Sequence, residues 1–435
     1  LKVIRILKKA YLPSLTLKSV WAVVFAVLLA GCSNSEDNVD GAVSSSAPFS
    51  NSDFVNERFG TLTTREMLPQ VNESTQADVV KSLNNFSFDM HRAISTGSPN
   101  EGSVESGYSA ALALLLTSAA TGGDTYTTLI GLLGMDAIIE DNVHTAINEL
   151  ALTLESRTND DLVLHTANRV FVKPGLDLQT QFLDRATADY GAPITEANFA
   201  EAPDEVAQEV NGWVSNQTNN FIPSIIDQFD PSTVFALLNV IFLDAKWQGT
   251  YESAGEQPFN NIDGTTNNVP SFSGRSGLQR LIRNDLTALE IPYGGDEIAM
   301  LILMPNSIEN LEASLNAEGL SEIVNAMETS DIQFTVPNWQ QSSELDLLQL
   351  LSPLGLPGNP WNFERLVNEG TTLDVFARQR AKIEVDENGT RAAAVTAVVS
   401  VGSVPEPIII DQPFIYVLRD RATGVVLFTG RVVAP

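Results

Sequence analysis

The stretch "ENGTRAAAVTAVVSVGSVPEP", Glu387 to Pro407, has no charge between Arg391 and Glu406 and consists almost wholly of Ala, Val, Thr, Ser and Gly. Strand side chains alternate faces with a period of two. Read as a strand, one face of the stretch holds Thr390, Ala392, Ala394, Thr396, Val398 and Ser400, and the other holds Arg391, Ala393, Val395, Ala397, Val399 and Val401. The first face is small and uncharged throughout, fit to be covered, and no proline interrupts the run before Pro405, so every amide is free to join a ladder. The flanks point the other way. Gly389 before the run and "VPEP" after it are loop signals, and such a strand left exposed would be an aggregation hazard. A segment that suits burial but sits between loop signals is expected to occupy both states; an ordinary buried strand with Ala-rich packing is the alternative.

The rest of the chain is large enough to hold such a strand. It has 435 residues, 43% hydrophobic and 7% aromatic, which suits one large or two ordinary globular domains with a filled core. The formal charge is -29. Residues 1–31 carry five basic groups (Lys2, Arg5, Lys8, Lys9, Lys18) and no acids, so the remainder sets 20 basic groups against 54 acidic ones, or -34. Nucleic acid and anionic lipid surfaces are not expected as partners on this ground, and a solvated acidic surface is the reading.

The N-terminus reads as a targeting segment. Basic residues up to Lys18 precede "VWAVVFAVLLAGC", an apolar run too short for a comfortable membrane span that ends in small residues. The final "LAGC", Leu29 to Cys32, resembles the bacterial lipobox. That resemblance implies cleavage before Cys32, a diacylglyceryl thioether on its thiol, and export to the bacterial cell envelope with a lipid anchor in the outer membrane or at the cell surface. Cys32 is the only cysteine, with no disulfide partner and no companions for a metal site.

Residues 1–31 are therefore expected to be a signal peptide and 32–78 a flexible tether and lead-in, since "SNSEDNVDGAVSSSAPFSN" has little to bury. A folded domain is expected over 79–435. It opens on a helical repeat at Val79, Leu83, Phe86, Met90 and Ile94, continues through "SAALALLLTSAA", breaks at "GGDT" and resumes at "YTTLIGLLGM". Strand-like runs follow at "NRVFVK", "VFALLNVIFLDAKW", "ALEIPY", "IAMLILMP", "IQFTVPNW", "RAKIEVDE", "PFIYVLRD" and "GVVLFTGRVV", several apolar on both faces as central strands must be. Helices early and strands late argue for an α+β domain around large, mostly antiparallel sheets.

Catalytic motifs are missing from the sequence: no G-x-S-x-G, S-x-x-K, H-E-x-x-H or G-x-x-x-x-G-K occurs. The three histidines, His91, His144 and His165, have no metal-ligand spacing and read as structural. No cofactor or metal is expected, and the chain is not read as an enzyme; a surface lipoprotein hydrolase has no nucleophile constellation to support it.

The flanks of the opening stretch identify a family. "VDENGTRAAAVTA" resembles the hinge of serpins, and "DQPFIYVLRDRATGVVLFTGRVVAP" their C-terminal strands. "NNFSFDMHRAI" is similar to their first helix, "HTANRVFV" to an early strand, "VNGWVSNQTNNFIPSII" and "LLNVIFLDAKWQGTY" to further family segments, and "LEIPYGGDEIAMLILMP" and "FTVPNWQQSSELDLLQLLSPLGL" to the strands and helix that lead to the hinge. The resemblance covers about residues 79–435.

It implies a serpin fold of three β-sheets and about nine helices, with an exposed reactive loop that acts as a suicide substrate of serine proteases. The cleaved loop inserts as a new strand in the largest sheet and carries the covalently bound protease with it. The hinge would comprise Glu387, Gly389, Thr390, Ala392, Ala394 and Thr396. Counting from Glu387 places the scissile bond at Ser403–Val404; counting back from Pro413 places it at Gly402–Ser403. Either bond offers small or aliphatic residues, which points to elastase-like or subtilisin-like targets, with papain-like cysteine proteases as a lesser class. The region where the sheet opens would involve Ser106, Ser109, Asn239 and Gln379, with Trp247 beneath the hinge. Gln379 departs from the family, which commonly has His there, and Arg391 stands where Glu is common. A monomer is expected, and a non-inhibitory serpin serving as a surface binding or carrier protein is the alternative function.

Overall fold

The computed structural model describes residues 64–367, 372–373, 375–390 and 407–435; residues 1–63, with Cys32, and the stretch from Arg391 to Glu406 lie outside them. Among the described residues the chain forms nine α-helices and three β-sheets, the α+β serpin architecture that the resemblance implies.

The first helix, Glu73–Gly97, begins inside the segment read as lead-in. Its first turn is polar and is set by Asn72, whose side chain accepts from the Thr75 amide at 2.8 Å. Apolar periodicity starts only at Val79, which with Leu83, Phe86 and Met90 turns into the core. The second helix, Gly107–Ala120, is apolar on every side and is accordingly buried along nearly its whole length. Gly123, at φ 55°, then redirects the chain into the helix Gly123–Leu132.

All eight strand-like runs of the sequence lie in strands. Phe414–Asp420 and Val426–Val432, buried at every position, sit in a nine-stranded sheet together with Leu286–Pro292 and Ile298–Pro305. Three polar strands have no apolar run to announce them: Glu252–Asn260, Thr266–Ile282 and Trp339–Asp346 each expose most or much of one face.

The six-stranded sheet positions the site. Its strand order is Trp339–Asp346, Arg378–Asp386, Gly389–Thr390, Phe235–Lys246, Leu162–Val172 and Ile194–Glu196. Alternation divides its faces. Ile241, Leu243, Ala245, Ala381, Ile383 and Val385 join the main core with the helix Gly107–Ala120. Leu238, Val240 and Phe242 join a second core with Val206, Val210 and Val214 of the helix Pro203–Gln217 and with the segment Phe221–Ile226 that follows it.

Candidate functional site at a split in the six-stranded sheet

The strand Arg378–Asp386 ends in a turn at Glu387 and Asn388, where the Asn388 amide donates to Asp386 Oδ1 at 2.7 Å. The chain reverses, and Gly389 and Thr390 enter the sheet between two much longer strands. Thr390 pairs with Val385 on one side and with Ala245 on the other; Gly389 pairs with Asp386 and with Lys246, both antiparallel. Only glycine fits at 389. Its φ is 148°, and a Cβ there would lie 2.1 Å from the Ala245 carbonyl oxygen and 2.8 Å from Lys246 Cα, which are backbone atoms unable to yield.

Thr390 is 3% exposed and faces the main core, so it begins the small inward face read from the sequence. Its hydroxyl lies 2.5 Å from the Tyr293 hydroxyl. Burial holds the Tyr293 phenol above its usual range, so it remains a neutral hydrogen-bonding group. The Tyr293 ring stacks on Trp247 at 4.5 Å between centroids and 7° between planes. Trp247 in turn holds the turn at Glu387 and Asn388: its backbone amide donates to the Asn388 carbonyl at 3.1 Å, and its indole N–H to the Asp386 carbonyl at 2.8 Å.

Beyond Thr390, the flanking strands Arg378–Asp386 and Phe235–Lys246 share no ladder with each other; among the described residues the sheet is continuous there only through Gly389 and Thr390. Gln379 lies on one rim of this split and Asn239 on the other. Gln379 grips the backbone of Ser106 with both ends of its amide: Oε1 accepts from the Ser106 amide at 3.0 Å, and Nε2 donates to the Ser106 carbonyl at 2.8 Å. The Ser106 hydroxyl caps the helix Gly107–Ala120 by accepting from the Ser109 amide, and donates to the Leu427 carbonyl at 2.6 Å. The Ser109 hydroxyl donates to Asn239 Oδ1, whose Nδ2 donates to Asn168 Oδ1 at 2.6 Å. The four residues expected together are therefore joined in one polar chain across the floor of the split, while Trp247 stands at its upper end. Gln379 serves through its capacity to donate and accept at once.

Tyr293 and Asn168 belong to this assembly and escaped the sequence reading. Tyr293 is the last residue of "ALEIPY" and Asn168 the first of "NRVFVK"; nothing in either run marks its polar end as reaching the hinge or the rim. The three histidines lie elsewhere. His91 sits between Glu105 and Glu312, His144 is 2.5 Å from the Tyr190 hydroxyl, and His165 is 2.7 Å from Gln217 Oε1. No group of three or more His, Cys, Asp or Glu among the described residues is placed to hold a metal ion. What the split offers instead is two rows of strand backbone, one on each rim, on either side of a two-residue strand that starts the same ladder.

The sequence model of the family described as "Serpin (serine protease inhibitor)" matches residues 81–435. The chain belongs to the serpin family. It is 28% identical over 381 residues to a serpin-like protein of Thermococcus kodakarensis, covering 83% of this chain and 87% of that one. It is 30% identical over 370 residues to alpha-1-antitrypsin 1-4 of Mus musculus, covering 82% and 89%. Among solved structures, human thyroxine-binding globulin complexed with thyroxine shares its fold at a TM-score of 0.76 and 23% identity, over 83% of this chain and 99% of that one. Serpins are in the main protease inhibitors, and some members are not.

Proposed function

We propose that this serpin is an irreversible suicide-substrate inhibitor of elastase-like or subtilisin-like serine proteases, acting as a monomer and held at a bacterial cell envelope through a lipid on Cys32. Residues 1–31 are the signal peptide, 32–78 a tether with an ordered end, and 79–435 the inhibitory domain. The observation that carries the reading is the seating of Gly389 and Thr390 between two long strands that share no ladder with each other. Continuing that register, each further residue of the loop gains partners on both rims: Ala392 would come beside Ile383 and Leu243, Ala394 beside Ala381 and Ile241, and Thr396 beside Gln379 and Asn239. These inward positions are small and neutral, as burial over the main core demands.

A strand of about fifteen residues at around 1 kcal/mol net per ladder bond releases on the order of 15 kcal/mol. That is comparable with the whole stability of a domain, so an acylated protease carried along by the loop can be deformed. Human thyroxine-binding globulin, which shares the fold, is complexed with thyroxine, so binding of a small ligand is the competing reading. The inward face favours the inhibitor here, because a bulky group, a charge or a proline would block insertion and positions 390 to 400 offer none inward. Incubation with subtilisin and an elastase is expected to give an SDS-resistant complex, with the released C-terminal fragment beginning at Val404, or at Ser403 in the shorter register. Complete cleavage without any complex would leave the loop a substrate and contradict the proposal.

A further inference from the structure

The outer face of the split is crossed by the segment Phe221–Ile226, and the way it is fastened differs at the two rims. Toward the rim formed by Phe235–Lys246 it is held by packing: the Phe221 and Phe242 rings meet edge to face at 6.0 Å, and Ile222 and Ile225 share a core with Val240. Its far end is fixed to the helix Pro203–Gln217, where Asn211 accepts from the Ile225 amide at 2.8 Å and donates to the Ile226 carbonyl at 2.7 Å. Toward the rim formed by Arg378–Asp386 it is held by two cations. Arg380 donates from one guanidinium nitrogen to the Ser224 carbonyl at 2.8 Å and to its hydroxyl at 3.0 Å, and is steadied by Glu344 at 3.1 Å. The Lys382 ammonium lies 4.5 Å from the centre of the Phe221 ring and 2.7 Å from Glu384.

These contacts are made while the two rims share no ladder with each other. With the rims joined directly, the far rim would stand one strand spacing, about 4.8 Å, nearer to Phe242. A segment fixed by Asn211 and Phe242 could not then keep both oxygens of Ser224 on Arg380, because hydrogen bonds fail beyond about 3.5 Å.

We infer that Arg380 and Lys382 form a clasp that closes the Phe221–Ile226 segment over the sheet when a strand lies between its rims, so that they are positioning residues for loop insertion. The inference rests on the strand-insertion reading. The clasp favours the inserted state over the uninserted one, and its loss slows the last part of insertion relative to deacylation.

The test compares the melting temperature of the full chain before and after its loop is cut by subtilisin, for wild type, Arg380→Ala, Arg380→Lys and Lys382→Gln, together with the stoichiometry of inhibition. Wild type is expected to melt higher once cut. Arg380→Ala should lower the melting point of the cut form by roughly 2–4 °C more than that of the uncut form and raise the stoichiometry at least twofold. Arg380→Lys should recover part of both effects, and Lys382→Gln should act in the same direction as Arg380→Ala. Equal losses in the two forms, or a greater loss in the uncut one, would reduce Arg380 to an ordinary surface contact and overturn the clasp. A wild type whose melting point does not rise on cutting would remove the strand-insertion reading itself, and the clasp with it.

Discussion

Tyr293 and Thr390 meet hydroxyl to hydroxyl at 2.5 Å at the upper end of the split, where Gly389 and Thr390 enter the sheet. The contact admits one small neutral group. A cation there would sit against a buried phenol, desolvated and without a counter-charge, at a cost of several kcal/mol. Thr390→Arg should leave protease recognition intact but delay insertion behind deacylation, so that the ratio of covalent complex to cleaved protein falls at least tenfold. Thr390→Ser, which keeps the hydroxyl, should form complex nearly as wild type does; equal trapping by Thr390→Arg would show that Thr390 does not lead the insertion.

Arg391 follows on the opposite face. One step beyond the pairing of Thr390 with Val385 and Ala245, the neighbouring residues are Glu384 and Asp244. In the inserted state the arginine would stand between two carboxylates, so the departure from the common family Glu becomes a fit. Arg391→Glu should raise the stoichiometry of inhibition several-fold at low ionic strength, with partial recovery at 1 M salt, where the screening length falls to about 3 Å. A salt-independent defect would argue against this pairing.

The lipobox proposal has its own test. Cys32→Ser should leave the precursor unprocessed, whereas the wild-type chain should partition with the membrane fraction after signal cleavage. Normal cleavage and unchanged membrane fractionation in the variant would exclude a lipid on Cys32.

His91 makes a prediction about pH. Burial alone would lower its pKa, but Glu105 at 2.5 Å and Glu312 at 3.3 Å outweigh it and raise the value to about 9. Arg431 also pairs with Glu312, at 3.2 Å, and Thr429 donates to Glu105 at 2.9 Å, so two carboxylates are balanced by two cations only while His91 is protonated. The folded-state pKa lies above the usual 6.5. The stabilisation is therefore complete below about pH 6.5 and is lost as pH rises through about 9, on the order of 3 kcal/mol in all. Thermal melts between pH 6.5 and 10 should show this loss, and His91→Gln should flatten the slope. An unchanged slope in the variant would assign it to other groups.

The central strands were legible for physical reasons that also explain what was not. Central strands such as Phe414–Asp420 are buried on both faces and must be apolar throughout, so their sequence declares them. Trp339–Asp346 exposes alternate residues and reads as polar chain. The stretch from Gly389 stands out in the sequence because two requirements, a small inward face and loop-forming flanks, conflict within one run. Tyr293, Asn168, Arg380 and Lys382 were not visible, because their roles arise from pairing across the split between segments far apart in sequence. The first helix extends six residues ahead of its apolar repeat because an Asn cap, rather than burial, sets its start.

The central claim, that the cut loop becomes a strand of the six-stranded sheet, is read most directly by backbone hydrogen exchange. After cleavage by subtilisin, the amides of residues 391 to 400 should become as slow to exchange as those of the flanking strand Phe235–Lys246, with stronger protection along both rims. Amides in 391 to 400 that exchange as fast after cleavage as before it, with the rims unchanged, would contradict strand insertion.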